Sequence, residues 1–343
     1  MRDDEHKTTT TPKEKKMDNI YNLNFNTAVM ASLISFAIAI ILGPIVIPIL
    51  RRLKFGQNVR DDGPQSHLKK SGTPSMGGIV IVAAISIASG IFSSFSIEWM
   101  LIMYLMLSFG IIGFLDDYIK MIKKRSLGLR AYQKFSLQLV ASIGFVLLLN
   151  WANIPTQMFI PFTDGLYINL GMLTPFVLVF AIVGTSNGVN FTDGLDGLAS
   201  GVTLLVSLFF LYVAFSLDSP AGYALAAAVG ALLGFLLFNS HPARVFMGDT
   251  GSLALGGFVA GVAIVLQMPI VLIIVGFVYV MEVASVALQV VYFKATGGKR
   301  LFKMAPLHHH FEMMGWAETK VVSVFYIATT ILCLIGLLAV SNL

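Results

Sequence analysis

The chain has 343 residues, of which 56% are hydrophobic and only 12% charged. An average soluble domain carries about 25% charged residues, so these figures exclude an ordinary soluble domain. They leave a helical membrane protein, because lipid tolerates only backbone that satisfies its own hydrogen bonds. The net charge of +5 becomes informative once the charges are placed along the chain. The first residues, Met1 to Lys16, are polar and Thr-rich and precede a second methionine, Met17. They resemble neither a signal peptide nor a span, and we read 1–16 as a dispensable tail ahead of one polytopic domain, 17–343. Runs of about 17–25 apolar residues then predict ten spans, near 27–50, 76–95, 98–115, 134–152, 171–187, 198–217, 221–238, 251–268, 269–293 and 321–341. The eighth and ninth touch at Pro269, where a tight turn is required. The expected fold class is an all-α integral membrane protein of about ten transmembrane helices, with both termini outside.

Beyond the tail, the basic residues follow a strict alternation. Arg51, Arg52, Lys54, Arg60, Lys69 and Lys70 lie between spans one and two. Lys120, Lys123, Lys124, Arg125, Arg130 and Lys134 lie between three and four, Arg244 between seven and eight, and Lys294, Lys299, Arg300, Lys303 and Lys320 before span ten. No Lys or Arg falls in the other loops. By the positive-inside rule the basic loops are cytoplasmic. Basic residues in the tail are matched there by Asp3, Asp4, Glu5, Glu14 and Asp18.

Four polar clusters collect on the same face. Asp116 and Asp117 end span three; adjacent carboxylates at a membrane boundary need a cation or a proton between them, and Lys120 shares a helical face with Asp116. The run Asn187-Gly188-Val189-Asn190-Phe191-Thr192-Asp193-Gly194-Leu195-Asp196-Gly197 joins spans five and six, pairing Asn187 with Asn190 and Asp193 with Asp196 on helical faces. Its glycines let backbone amides approach a ligand, while Leu195 and Gly197 break the oxygen pattern of a calcium loop. Asn239 to Ser252 contains Arg244, Phe246 and Asp249. Asp249 suits a hard cation such as Mg²⁺, which takes one or two carboxylates together with phosphate and water, although helix capping also explains an Asp there. The run Pro306-Leu307-His308-His309-His310-Phe311-Glu312 suits contacts to phosphate or uracil better than one zinc ion, because consecutive side chains point in different directions. Asp61, Asp62 and Glu318 are as well explained as solvated loop charges.

No dinucleotide fingerprint and no Walker motif occurs, which disfavours an ATP-driven pump or a Rossmann enzyme. Glu282 is the one carboxylate inside span nine, a functional candidate or the mark of a break in a long helix. The sole cysteine, Cys333, lies in an apolar run and excludes an intrachain disulfide.

Together these residues resemble the polyprenyl-phosphate N-acetylhexosamine-1-phosphate transferase superfamily. The marks are Asp116-Asp117-x-x-Lys120, Asn190 to Gly197, and Thr73-Pro74-Ser75-Met76-Gly77-Gly78, where the superfamily more often has threonine at Ser75. The histidine run is similar to that of the muramoyl-peptide branch. The resemblance implies a ten-span bacterial inner-membrane enzyme with its active site facing the cytoplasm, Mg²⁺ dependence and a homodimer. It also implies transfer of phospho-MurNAc-pentapeptide from UDP-MurNAc-pentapeptide to undecaprenyl phosphate, releasing UMP, with membrane lipid and no nucleic acid as partners. On that reading Asp249 leads the Mg²⁺ ligands, joined by Asp117. Asp116 and Asp117 position or deprotonate the lipid phosphate, and Lys120 pairs charge nearby. Asn187, Asn190, Asp193, Gly194 and Asp196 serve nucleotide or sugar, and Asn239 and Phe246 line the uridine pocket. Lys69, Thr73, Lys134, His308, His309 and His310 meet phosphate or peptide groups. The rivals are a sibling enzyme using UDP-GlcNAc and a membrane transporter.

Overall fold

A computed structural model describes residues 23–53, 70, 72–123 and 128–342. The tail 1–16, Asp61, Asp62 and Lys69 lie outside the described residues. Apolar runs become helices wherever turn residues do not intervene: α1 (Phe25–Arg52), α2 (Gly78–Phe92), α3 (Ile97–Ile122), α4 (Ala131–Trp151), α5 (Thr174–Thr192), α6 (Leu198–Ser216), α7 (Ala221–Asn239), α8 (Gly248–Val265), α9 (Pro269–Val275), α10 (Phe277–Ala295), α11 (Leu307–Met313) and α12 (Glu318–Ala339). Their ends follow local chemistry. Asn24 and Ser96 cap α1 and α3 by accepting from the Thr27 and Trp99 amides, the ordinary work of an N-cap side chain. Pro175 sits in the first turn of α5 and Pro269 in that of α9, where a missing N–H costs nothing.

Nine helices among the described residues are long and apolar enough to cross a membrane. The remaining predicted span, the second (76–95), corresponds to α2, whose 15 residues reach only about 22 Å. Span nine differs from expectation: the chain breaks at Gly276, and α9 and α10 replace one continuous helix. Glu282 therefore lies within α10 rather than at the break. A short antiparallel hairpin of β1 (Met158–Phe159) and β2 (Tyr167–Ile168), absent from the sequence expectation, closes the end of the bundle opposite the polar clusters. It is latched there by the Phe159 amide on the Gln267 carbonyl and the Phe162 amide on the Ala339 carbonyl.

The core is organised around α8, which is buried along almost its whole length against α2, α3 and α5. No hydrophobic force separates helix from lipid inside a bilayer, so close backbone packing through small residues drives such association. Gly113 of α3 lies against the Asp249 carbonyl, Gly78 of α2 against Gly251, and Gly256 of α8 against Ser186 of α5. At each a Cβ would overlap its neighbour. The α1–α7 pair meets the same way, with Gly230 on the Ser32 carbonyl. Gly230→Ala, far from the polar clusters, should cost about 1–3 kcal/mol through overpacking and lower the thermal midpoint in detergent, while activity per folded molecule stays unchanged.

Candidate active site

The last turns of α3 and α5 and the first turns of α4 and α8 converge at one end of the bundle. Asp116 and Asp117 are neighbours in α3, yet each carboxylate is held differently. Asp116 Oδ1 accepts from the Leu129 amide at 2.8 Å, tethering the segment before α4. Asp117 Oδ2 accepts from the Thr250 amide at 2.9 Å and the Thr250 hydroxyl at 2.8 Å. Asp117 thus faces the N-terminus of α8, where the helix dipole favours an anion. Gly248 opens that turn with φ of 73°, a left-handed conformation that glycine adopts without penalty. Asp249 follows it into the first turn of α8.

Two lysines answer these acids. Lys120 Nζ lies 2.7 Å from Asp116 Oδ2, 3.5 Å from Asp117 Oδ1 and 3.0 Å from Asp249 Oδ2. Lys134 Nζ lies 2.9 Å from the same Asp249 oxygen and 3.2 Å from Asn190 Oδ1. Asn190 Nδ2 donates to Asp249 Oδ1 at 2.9 Å and to Ser252 Oγ at 2.7 Å. Removing several like charges from water costs several kcal/mol per ion unless cations and hydrogen bonds offset it; here every carboxylate has both.

Ligand oxygens of Asp116, Asp117 and Asp249 lie within 4.8 Å of one another. Three carboxylates against two lysines leave excess negative charge, and the donor set is all oxygen, as a hard divalent cation requires. The group therefore fits Mg²⁺. Lys120, with its side chain 32% exposed, has room to swing from the centre of the three acids. Burial pushes the Asp193 carboxyl well above the usual range, and the facing Asp249 and Asp117 charges add to the effect, while the Gly248 amide draws it back. A cation among these acids would relieve that repulsion.

Asp196 belongs to a second group. Its carboxylate bonds Lys70 Nζ at 2.7 Å, His241 Nδ1 at 3.1 Å and the Ala243 amide at 3.0 Å, and its own amide donates to Glu318 Oε1 at 2.8 Å. Lys70 also pairs with Glu318, so these acids already hold a cation. Asn239 is buried, accepting from the Ser200 hydroxyl and donating to the Val245 carbonyl; its amide braces the loop that carries Phe246. That loop is zipped to the segment of Thr73, with the Phe246 amide on the Pro74 carbonyl and the Gly77 amide on the Phe246 carbonyl. Asn187 sits about a turn deeper than Asn190 and donates to Gln138 Oε1 and the Val183 carbonyl. In the histidine run, His308 meets Glu282 and overlies Gly194, His309 pairs with Glu312, and His310 accepts from the Lys303 amide.

Asp116, Asp117, Lys120, Lys134, Asn190 and Asp249 thus meet directly, while Asp196, Asn239 and the histidines occupy adjoining walls. Lys70, Gln138, His241, Thr250, Ser252 and Glu318 escaped the sequence reading as site residues. Most of them have leads in the sequence: Lys70 stands beside Lys69 in a basic loop, and Glu318 reads as a loop charge. His241, Thr250 and Ser252 lie within the Asn239–Ser252 cluster, though their individual roles show only in contacts across the fold. Asp117→Asn and Asp249→Asn should each weaken Mn²⁺ binding, read by electron paramagnetic resonance, by at least about tenfold.

The family model for Glycosyl transferase family 4 matches residues 99–267. Residues 70–82 match the Phospho-N-acetylmuramoyl-pentapeptide-transferase signature 1, the segment from Lys70 into α2. Curated proteins named phospho-N-acetylmuramoyl-pentapeptide-transferase are similar along nearly the whole chain. That of Clostridium botulinum (strain Eklund 17B / Type B) is 51% identical over 325 residues, 94% of this chain and 99% of the relative. That of Clostridium perfringens (strain 13 / Type A) is 53% identical, covering 90% of this chain and 97% of the relative. The Clostridioides difficile (strain 630) protein is 52% identical, covering 90% and 96%.

Proposed function

The chain belongs to the phospho-N-acetylmuramoyl-pentapeptide-transferase family, and from that premise we propose that it transfers phospho-MurNAc-pentapeptide from UDP-MurNAc-pentapeptide to undecaprenyl phosphate. An oxygen of the lipid phosphate bonds to the sugar-linked phosphorus, the bond from that phosphorus to the UMP oxygen breaks, and a lipid pyrophosphate and UMP result. The observation that carries this reading is the group of Asp116, Asp117 and Asp249 with Lys120 and Lys134 at one end of a membrane bundle.

Two anions have to meet in this reaction, and charge builds on the departing UMP. Mg²⁺, when bound by Asp249, Asp117 and Asp116, supplies positive charge to the pyrophosphate. Lys120 and Lys134 supply the remainder, fixed in place by the acids and by Asn190, which is the preorganised electrostatics that phosphoryl transfer depends on. A phosphate monoester is largely ionised near neutral pH, so Asp116 serves by orienting the lipid phosphate more than by taking a proton. The Asp193–Asp196 turn, the Phe246 loop and the histidine run form the walls for uridine, sugar and peptide. Alternation of the basic residues supports placing this end in the cytoplasm, where a UDP-linked substrate is at hand, and the bacterial inner membrane follows from the resemblance. A homodimer is carried by the resemblance.

The purified protein, given undecaprenyl phosphate, should release UMP from UDP-MurNAc-pentapeptide with Mg²⁺ and not with a chelator. Release from UDP-GlcNAc alone would sink the substrate assignment. UMP release by Asp249→Asn should fall by at least about a hundredfold while the variant remains monodisperse in detergent; substrate flux without UMP release, retained in that variant, would favour a transporter.

A further inference from the structure

Glu282 takes no part in the group around Asp249, although it is a carboxylate inside an apolar span. It is fully buried (0% exposed), and the element packed on it is the histidine turn. Its Oε2 lies 3.0 Å from His308 Nδ1, and its Oε1 accepts from the His308 backbone amide at 3.3 Å. His308 is equally enclosed, at 1% exposed. Its other ring nitrogen, Nε2, has no hydrogen-bond partner among the described residues. That nitrogen lies over Gly194, so close that a Cβ there would collide with it. Gly194 in turn separates Asp193, which faces the acids of the transfer site, from Leu195 and Asp196 of the Lys70 group.

We infer that Glu282 is a positioning residue that holds His308 as its Nδ1–H tautomer, with Nε2 bare against the Asp193–Asp196 turn, so that the turn beside the transfer site packs on an acceptor and its position is set by the Glu282–His308 pair. An ionised carboxylate only accepts, so both nitrogens facing it have to donate. The backbone amide can do nothing else, and the ring spends its proton at Nδ1. A neutral imidazole then has no proton for Nε2. A buried imidazolium would instead strand an N–H donor against glycine, a costlier arrangement. The effect on kcat/KM rests on the transferase reading; the tautomer does not.

The two are tested separately. Protein labelled with ¹⁵N-histidine and reconstituted in nanodiscs at about pH 8, where ordinary histidines are neutral, should show the His308 ring protonated at Nδ1 and bare at Nε2. His308→Gln identifies the resonances. In Glu282→Gln the amide oxygen accepts from the backbone and the NH₂ donates to Nδ1, so the ring should switch to Nε2–H, and kcat/KM should fall by at least about tenfold. Glu282→Asp keeps the carboxylate and should retain the wild-type ring pattern with part of the activity. A bare Nδ1 in the wild type overturns the inference even where the Gln variant does not fold. So does wild-type kcat/KM in a folded Gln variant. Absence of UMP release by the wild-type protein would overturn the transferase reading while leaving the ring measurement to decide on Glu282.

Discussion

The approach of α8 to α3, backbone against backbone at Gly113 and the Asp249 carbonyl, is the constraint on which the rest depends. Side chains of ordinary size hold packed helices about 8–10 Å apart, and a Cβ at Gly113 would collide with the Asp249 backbone. With no Cβ at Gly113, the ends of the two helices merge into one polar surface. Thr250 can then cap Asp117, and Lys120 can reach Asp249. Packing and chemistry are here the same contact. The site rests on helix ends, whose backbone is held by the bundle, more than on loops.

Charge balance explains the remaining arrangement. The acids repel one another strongly enough that each is tied by at least one donor from another segment: the Leu129 amide, Thr250, Asn190, or Lys70 with His241 and the Ala243 amide. The polar end therefore works as a network linking α3, α4, α5 and α8, with α12 joined through Glu318. The far end, which has no Lys or Arg among the described residues, is closed instead by backbone bonds of the hairpin. One end binds through charge and the other holds through main chain.

Most of the architecture was legible in the sequence because a span is a one-dimensional signal: twenty apolar residues announce themselves without knowledge of their neighbours. Alternation of Lys and Arg is another such signal. The break at Gly276 was not legible, since its flanks are uniformly apolar and only tertiary packing separates α9 from α10. The acids of the site could be read because carboxylates are rare in such a chain. Their partners could not, because Thr250, Ser252 and Gln138 are unremarkable residue types whose roles arise from contacts between helices. Asn239 shows a role that residue type does not reveal: a polar residue beside the site whose amide braces a loop.

The helix α10 packs little of its surface against the bundle, and Leu288, Val290, Val291 and Phe293 face outward. Acyl chains are then its packing partner along much of its length, so its tilt answers to bilayer thickness as well as to protein contacts. Glu282 rides on this helix and grips His308. The geometry at the histidine turn is thereby coupled to the hydrocarbon around it, and the composition of the surrounding membrane becomes a variable of the chemistry at its surface.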